Sequence, residues 1–280
     1  MPPLVSADWL ATHLSDGDLR VADVRWYLDP ARKGIDAYRA GHIPGAVFFD
    51  VETELAAPGG RRGGALGRHP WPQPQQVSLV MGRAGIGPET FVVAYDDQAG
   101  AVAARLWFLL RAHGHDRVAV LDGGLPAWTS RGYPTTTQPA TPAAAAFNAR
   151  LRPGWVVGKD EMVAEHAQQL VLDARAGERY RGEREPIDPR AGHVPGAKSA
   201  PFGGNLSEGP LPVFRTPAEL RERYAALGAE QQEPIVYCGS GVTACHALLA
   251  LDVAGLKGRL YAGSWSEWSS DPALPVETGG

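Results

Sequence analysis

Cysteine is scarce in this chain: among 280 residues there are only Cys238 and Cys245. Two cysteines exclude a disulfide framework and a four-thiolate metal site. The second falls on a helix expected to start near Val242, a spacing poorly suited to a mutual disulfide. Cys245 therefore reads as a small buried helix residue. Long hydrophobic runs are also missing, and no stretch approaches the roughly 20 apolar residues of a membrane span. The N-terminal MPPLVSADWL has no charged segment leading into an apolar one, so no secretory signal is expected. A cytoplasmic location without a membrane partner is the resulting expectation. Nor is there an excess of positive charge: 27 Lys and Arg stand against 31 Asp and Glu, for a net charge of -4. With no long basic run, nucleic acid and anionic membrane are excluded as main partners. What remains is a globular composition, 44% hydrophobic and 21% charged, on a chain long enough for two domains.

The chain contains itself twice. LRVADVRW, AYRAGHIPGAVFFD, FVVAYDDQAGAVAARLWFLLRAHG and RVAVLDGGLPAW in the first half are answered, in order, by LVLDARAG, RYRG…RAGHVPGAKSAPF, PIVYCGSGVTACHALLALDVAG and GRLYAGSWSEW. Short β-rich runs (Phe91 to Ala94, Val118 to Leu121, Pro234 to Tyr237) alternate with segments of helical period, which predicts an α/β fold, each half a parallel sheet flanked by helices on both faces. The stretch PTTTQPATPAAAA predicts a linker. The expected layout is a first domain over 1–135 that serves as structure and pocket wall, a linker over 136–150 and a catalytic domain over 151–280.

Duplication supplies an internal control. Features common to both halves serve the fold: His42 and His193 of the Gly-His-x-Pro-Gly-Ala segments, the pairs Asp23/Arg25 and Asp173/Arg175, and Trp128 and Trp268. Three differences point to chemistry in the second half. Tyr237-Cys238 stands where the first half has Tyr95-Asp96, and Arg179 where it has Ala37. Nine residues, Gly182 to Arg190 (GEREPIDPR), are inserted before the second Ala-Gly-His and predict a substrate-facing loop. Cys238 ends a strand and opens a turn ahead of a helix, the place where α/β sheets bind ligands. Gly239 and Gly241 allow successive N–H groups of the Gly239–Thr243 turn to converge on an anion, and the helix start adds its positive end. Such a cradle favours the nucleophilic, anionic form of sulfur. Ser240 and Thr243 add hydroxyl donors, and the loop has no cation of its own. A Cys-x5-Arg phosphatase is excluded, because five residues intervene before Ala244, not an arginine. Sulfur transfer through a persulfide is the chemistry left.

These segments are similar, along nearly the whole chain, to the tandem-domain rhodanese (sulfurtransferase) family: the paired Gly-His-Ile/Val-Pro-Gly-Ala motifs, the loop CGSGVTA and the terminal GSWSEW all match. The loop resembles that of the 3-mercaptopyruvate sulfurtransferases rather than the doubly basic loop of thiosulfate-using rhodaneses. The resemblance implies two tandem rhodanese-like domains, with Cys238 as sulfur carrier, Arg179 as a substrate arginine, and Gly239, Gly241, Val242 and Thr243 around the substrate. It also implies a relay of Ser240, His69 in GRHP and Asp50 in FFD. The family's second substrate arginine is missing after Glu185-Pro186, where Ile187 stands, so Arg190 or Arg184 is expected to replace it. His246 is expected to pack. No cofactor or metal is implied. The partners implied are a small sulfur donor and a thiol or cyanide acceptor, with a thioredoxin-like reductant possible in the acceptor role. Thiosulfate:cyanide transfer and a persulfide carrier serving a partner protein are the competing readings.

Overall fold

The computed structural model describes residues 2–61 and 63–280. The chain divides into two compact units. Met1–Leu55, Pro72–Arg152 and Glu208–Phe214 form the first, and Ala56–Trp71, Pro153–Ser207 and Arg215–Gly280 the second.

The first unit holds β1 (Leu4–Val5), β2 (Leu19–Asp23), β3 (Val47–Phe48), β4 (Phe91–Tyr95) and β5 (Val118–Leu121), in the spatial order β1-β5-β4-β2-β3. The second holds β6 (Val156–Val157), β7 (Val171–Asp173), β8 (Lys198–Ser199), β9 (Ile235–Tyr237) and β10 (Arg259–Tyr261), in the order β6-β10-β9-β7-β8. Every strand pair is parallel. The repeated order is the structural counterpart of the repeated sequence.

Strand β4 is buried at all five residues, as a strand covered on both faces must be. Alternate residues serve the two faces. Phe91, Val93 and Tyr95 join Leu10, Tyr38 and Trp128 in one core cluster, while the helix Ala103–Ala112 packs on β4 and β5. In the second unit Ile235 and Tyr237 pack with Met162, Trp265 and Trp268 in the same way.

The shared histidines and ion pairs serve the fold in both copies. Arg25 forks onto both oxygens of Asp23 and gives Nη2 to the Gly41 carbonyl (2.8 Å). Arg175 does the same with Asp173 and the Gly192 carbonyl (2.6 Å). His42 and His193 give Nδ1–H to the carbonyls of Tyr38 and Tyr180, each at 2.7 Å, and each ring stacks on that tyrosine at 3.8 Å. A carbonyl only accepts, so Nδ1 carries a proton in each ring; His42 Nε2 also lies 3.0 Å from the Gln138 carbonyl. Each motif thus pins the loop after its helix to the central strands. Trp128 and Trp268 are buried, and each gives its indole N–H to a proline carbonyl.

Candidate active site

Strand β9 is the middle strand of its sheet, and Cys238 follows it directly. Its thiol is buried and free. The loop is held from behind by the short helix Ser264–Trp268. Trp265 N–H donates to the Cys238 carbonyl and Ser266 N–H to the Gly239 carbonyl, both at 2.9 Å. In a trans peptide the next N–H points opposite to the carbonyl. The N–H groups of Gly239 and Ser240 are therefore directed away from that helix, as a nest requires. Ser264 adopts a φ of 54°, unusual for a residue with a Cβ. This conformation places its Oγ to accept the Cys238 N–H (3.2 Å) while donating to the Tyr261 carbonyl (3.0 Å). The helix Thr243–Val253 begins five residues after the cysteine, and Cys245 on it is buried with its thiol against the Gly241 carbonyl (3.2 Å).

Two further groups converge on this loop within the second unit. Ser240 Oγ lies 2.9 Å from His69 Nδ1, and both residues are buried. Arg179, on the one-turn helix Gly177–Tyr180, is oriented by carboxylates of the insertion: Nη2 donates to Glu185 (2.7 Å) and to Asp188 (3.1 Å). Glu185 also accepts from Arg175 (3.3 Å). Burial opposes the charge of Arg175, but Asp173, Tyr237 and Glu185 together outweigh it and the guanidinium's pKa moves up. A methyl group added at Gly239 would stand 3.4 Å from Arg179 Nη1 and 2.5 Å from Arg68 Nη2. A side chain at this position would have to displace the Arg68 guanidinium.

Residues 6–131 and 159–271 both match the Rhodanese-like domain model. The chain belongs to the rhodanese family. It is 45% identical to a Pseudomonas aeruginosa protein named "probable 3-mercaptopyruvate sulfurtransferase", over 99% of this chain and 98% of that one. It is 40% identical to SseB of Mycobacterium tuberculosis, named for thiosulfate sulfurtransfer, over 99% and 97%. Among solved structures, the rhodanese-fold SseA from Escherichia coli, a 3-mercaptopyruvate sulfotransferase, superposes with a TM-score of 0.80 at 31% identity, covering 95% of this chain and 99% of that one.

The first rhodanese copy shows what its loop accepts in place of sulfur. Asp96 occupies the position of Cys238, and Leu125 N–H holds its carbonyl (2.8 Å) as Trp265 N–H holds that of Cys238. The Asp96 carboxylate is buried and takes four main-chain N–H groups, from Gln98, Gly100, Val102 and Ala103, at 2.7 to 2.9 Å. Burial pushes this carboxyl above its usual range, and the four donors oppose that. The loop of the first copy is thus a cradle of main-chain donors filled by its own side chain.

Other expected site residues are engaged elsewhere. Asp50 lies in the first unit, where Oδ1 accepts N–H groups of Glu52 and Thr53 (2.9 Å each) and caps the following turn. Arg190 gives four hydrogen bonds to main-chain carbonyls of Trp268, Ser269, Asp271 and Leu274 (2.6 to 3.0 Å), closing the end of the helix Ser264–Trp268. This corrects the expectation that it faces substrate: four of its five N–H donors are spent on the chain. Arg184 is exposed and pairs with Glu178 at 3.7 Å. His246 is buried against Asn205 (3.3 Å) and Phe202, as packing requires. Sequence reasoning missed Ser264, Glu185, Asp188 and Arg68. The only signals were charge in the insertion and a basic residue beside His69. Among the described residues no group of three or more His, Cys, Asp or Glu is arranged to hold a metal.

Proposed function

We propose that Cys238 takes sulfur from 3-mercaptopyruvate and passes it to a thiol or to cyanide. The observation that carries this is a buried cysteine at a strand end, in a loop with no lysine or arginine of its own, bordered at Gly239 by the guanidinium groups of Arg179 and Arg68. The Cys238 thiolate attacks the donor's sulfur. The S–C bond breaks, its electron pair leaves as the enolate of pyruvate, and a proton from solvent or the site completes pyruvate. The enzyme keeps the sulfur as Cys238–S–SH. An acceptor thiolate or cyanide then attacks the outer sulfur, and Cys238 departs as thiolate. Arg179, whose Nε and Nη2 are engaged by Glu185 and Asp188, offers Nη1 to the donor carboxylate. Ser240, with its hydroxyl against His69, serves the developing enolate oxygen, and the N–H groups around Gly239 to Thr243 serve the sulfur anion. Asp50 is assigned to the relay by resemblance alone. A thioredoxin-like dithiol in the cytoplasm suits the acceptor role.

The relationship to SseB supports thiosulfate as a second reading. Initial rates of thiocyanate formation from each donor separate the two. The proposal expects kcat/KM for 3-mercaptopyruvate to exceed that for thiosulfate by roughly tenfold or more, since each tenfold step needs only about 1.4 kcal/mol of differential transition-state binding. A preference for thiosulfate overturns it. Persulfide on Cys238 without turnover of either donor would make the protein a carrier.

A further inference from the structure

Arg68 brings a second guanidinium group to Gly239, beside that of Arg179. Gly67 and Arg68 are set against the Ser264–Trp268 helix: Arg68 N–H donates to Ser266 Oγ (3.1 Å), and a methyl at Gly67 would stand 2.8 Å from the Gly263 carbonyl. From this anchor the Arg68 side chain, 9% exposed, reaches the cysteine loop. Its Nη1 pairs with Oδ1 of Asp188, whose Oδ2 accepts from Arg179. One fully buried carboxylate thus spaces two guanidinium groups, and both border Gly239, the residue after the nucleophile. The ion pair does not exhaust Arg68. Its Nε is buried with no hydrogen-bond partner among the described residues, and Nη2 faces Gly239. A buried donor left without a partner is costly, and an oxyanion placed there would satisfy it.

We propose that Arg68 is the second donor-binding arginine, which with Arg179 clamps the carboxylate of an α-keto mercapto acid. This rests on the donor reading above and deepens it. The charges explain why a carboxylate suits the site. Glu185 and Asp188 offset Arg179 and Arg68, so the cluster has no excess positive charge to attract a dianion, and selection falls to the planar fork of guanidinium on carboxylate.

The test pairs a change in the protein with a change in the donor. Persulfide formation on Cys238 is measured in single turnovers of the full chain, using 3-mercaptopyruvate and mercaptoacetone, which keeps the thiol and ketone but lacks the carboxylate. Arg68→Ala is expected to lose roughly 10- to 100-fold in the second-order rate of persulfide formation from 3-mercaptopyruvate, mostly through weaker donor binding, and under about twofold with mercaptoacetone. Arg68→Lys should recover only part of the loss, because a point charge cannot fork. Arg68→Gln, which keeps a donor toward Asp188, carries the same expectation should the alanine variant unfold. Equal losses with both donors would make Arg68 a structural ion pair and overturn the assignment, as would no loss with either. Wild-type protein that loads from mercaptoacetone as fast as from 3-mercaptopyruvate would instead overturn the donor reading itself, before any variant is compared.

Discussion

Ser240 and His69 meet across 171 positions of sequence at 2.9 Å, in a region from which water is largely excluded. If they act as one unit on the enolate oxygen, their losses should not multiply. Ser240→Ala and His69→Gln are each expected to slow persulfide formation from 3-mercaptopyruvate by about 10- to 100-fold, and the double variant by no more than about twofold further. Rapid-quench measurement of pyruvate release checks this; multiplicative losses would mean separate roles. At this scale the sequence was legible wherever the duplication offered a comparison. Cys238 against Asp96 and Arg179 against Ala37 are single-position contrasts between two copies of one fold. Arg68 and Ser264 were not legible. The first depends on where residues 56–71 pack, which no periodicity encodes, and the second on a backbone conformation that a serine rarely adopts. Arg190 misled because an arginine bound to four carbonyls has the same letter as one facing substrate.

The central strand, loop and following helix form the element that both copies share, and its two loops differ in what fills them. In the first copy the Asp96 carboxylate satisfies four buried N–H groups with one side chain. Asp96→Asn turns an amide NH2 toward two of them, and the expected loss is about 2–4 kcal/mol of stability in urea unfolding. Cys238→Ser, in the cradle built for an incoming anion, should stay within about 1 kcal/mol of wild type. A neutral Asp96→Asn would show that the first loop does not depend on its anion. The longer strands and helices of these elements were readable from apolar runs and Gly turns. The two-residue strands β1, β3, β6 and β8 were not, because at that length pairing partners rather than residue pattern decide the assignment.

For the whole molecule, acid sensitivity follows from buried histidines of the first unit. Burial lowers the pKa of both His113 and His115 below the ordinary 6.5. The unfolded chain then binds protons at higher pH than the folded one. The stabilisation is complete above about pH 6.5 and is lost as pH falls through the depressed folded values. The melting temperature should therefore drop between roughly pH 6.5 and 5, and His115→Gln should flatten that slope. Carboxyls whose values burial raises, such as Asp96 and Asp122, act with opposite sign, but from a base of 3.8. An unchanged slope in the variant would remove His115 from the account.

Intact-protein mass spectrometry after brief exposure to 3-mercaptopyruvate tests whether Cys238 carries the sulfur. The expected result is one added sulfur atom per chain, mapped to Cys238, removed by cyanide with formation of thiocyanate, and absent in Cys238→Ser while Cys245→Ser still loads. Sulfur on Cys245, or loading that survives Cys238→Ser, would contradict it.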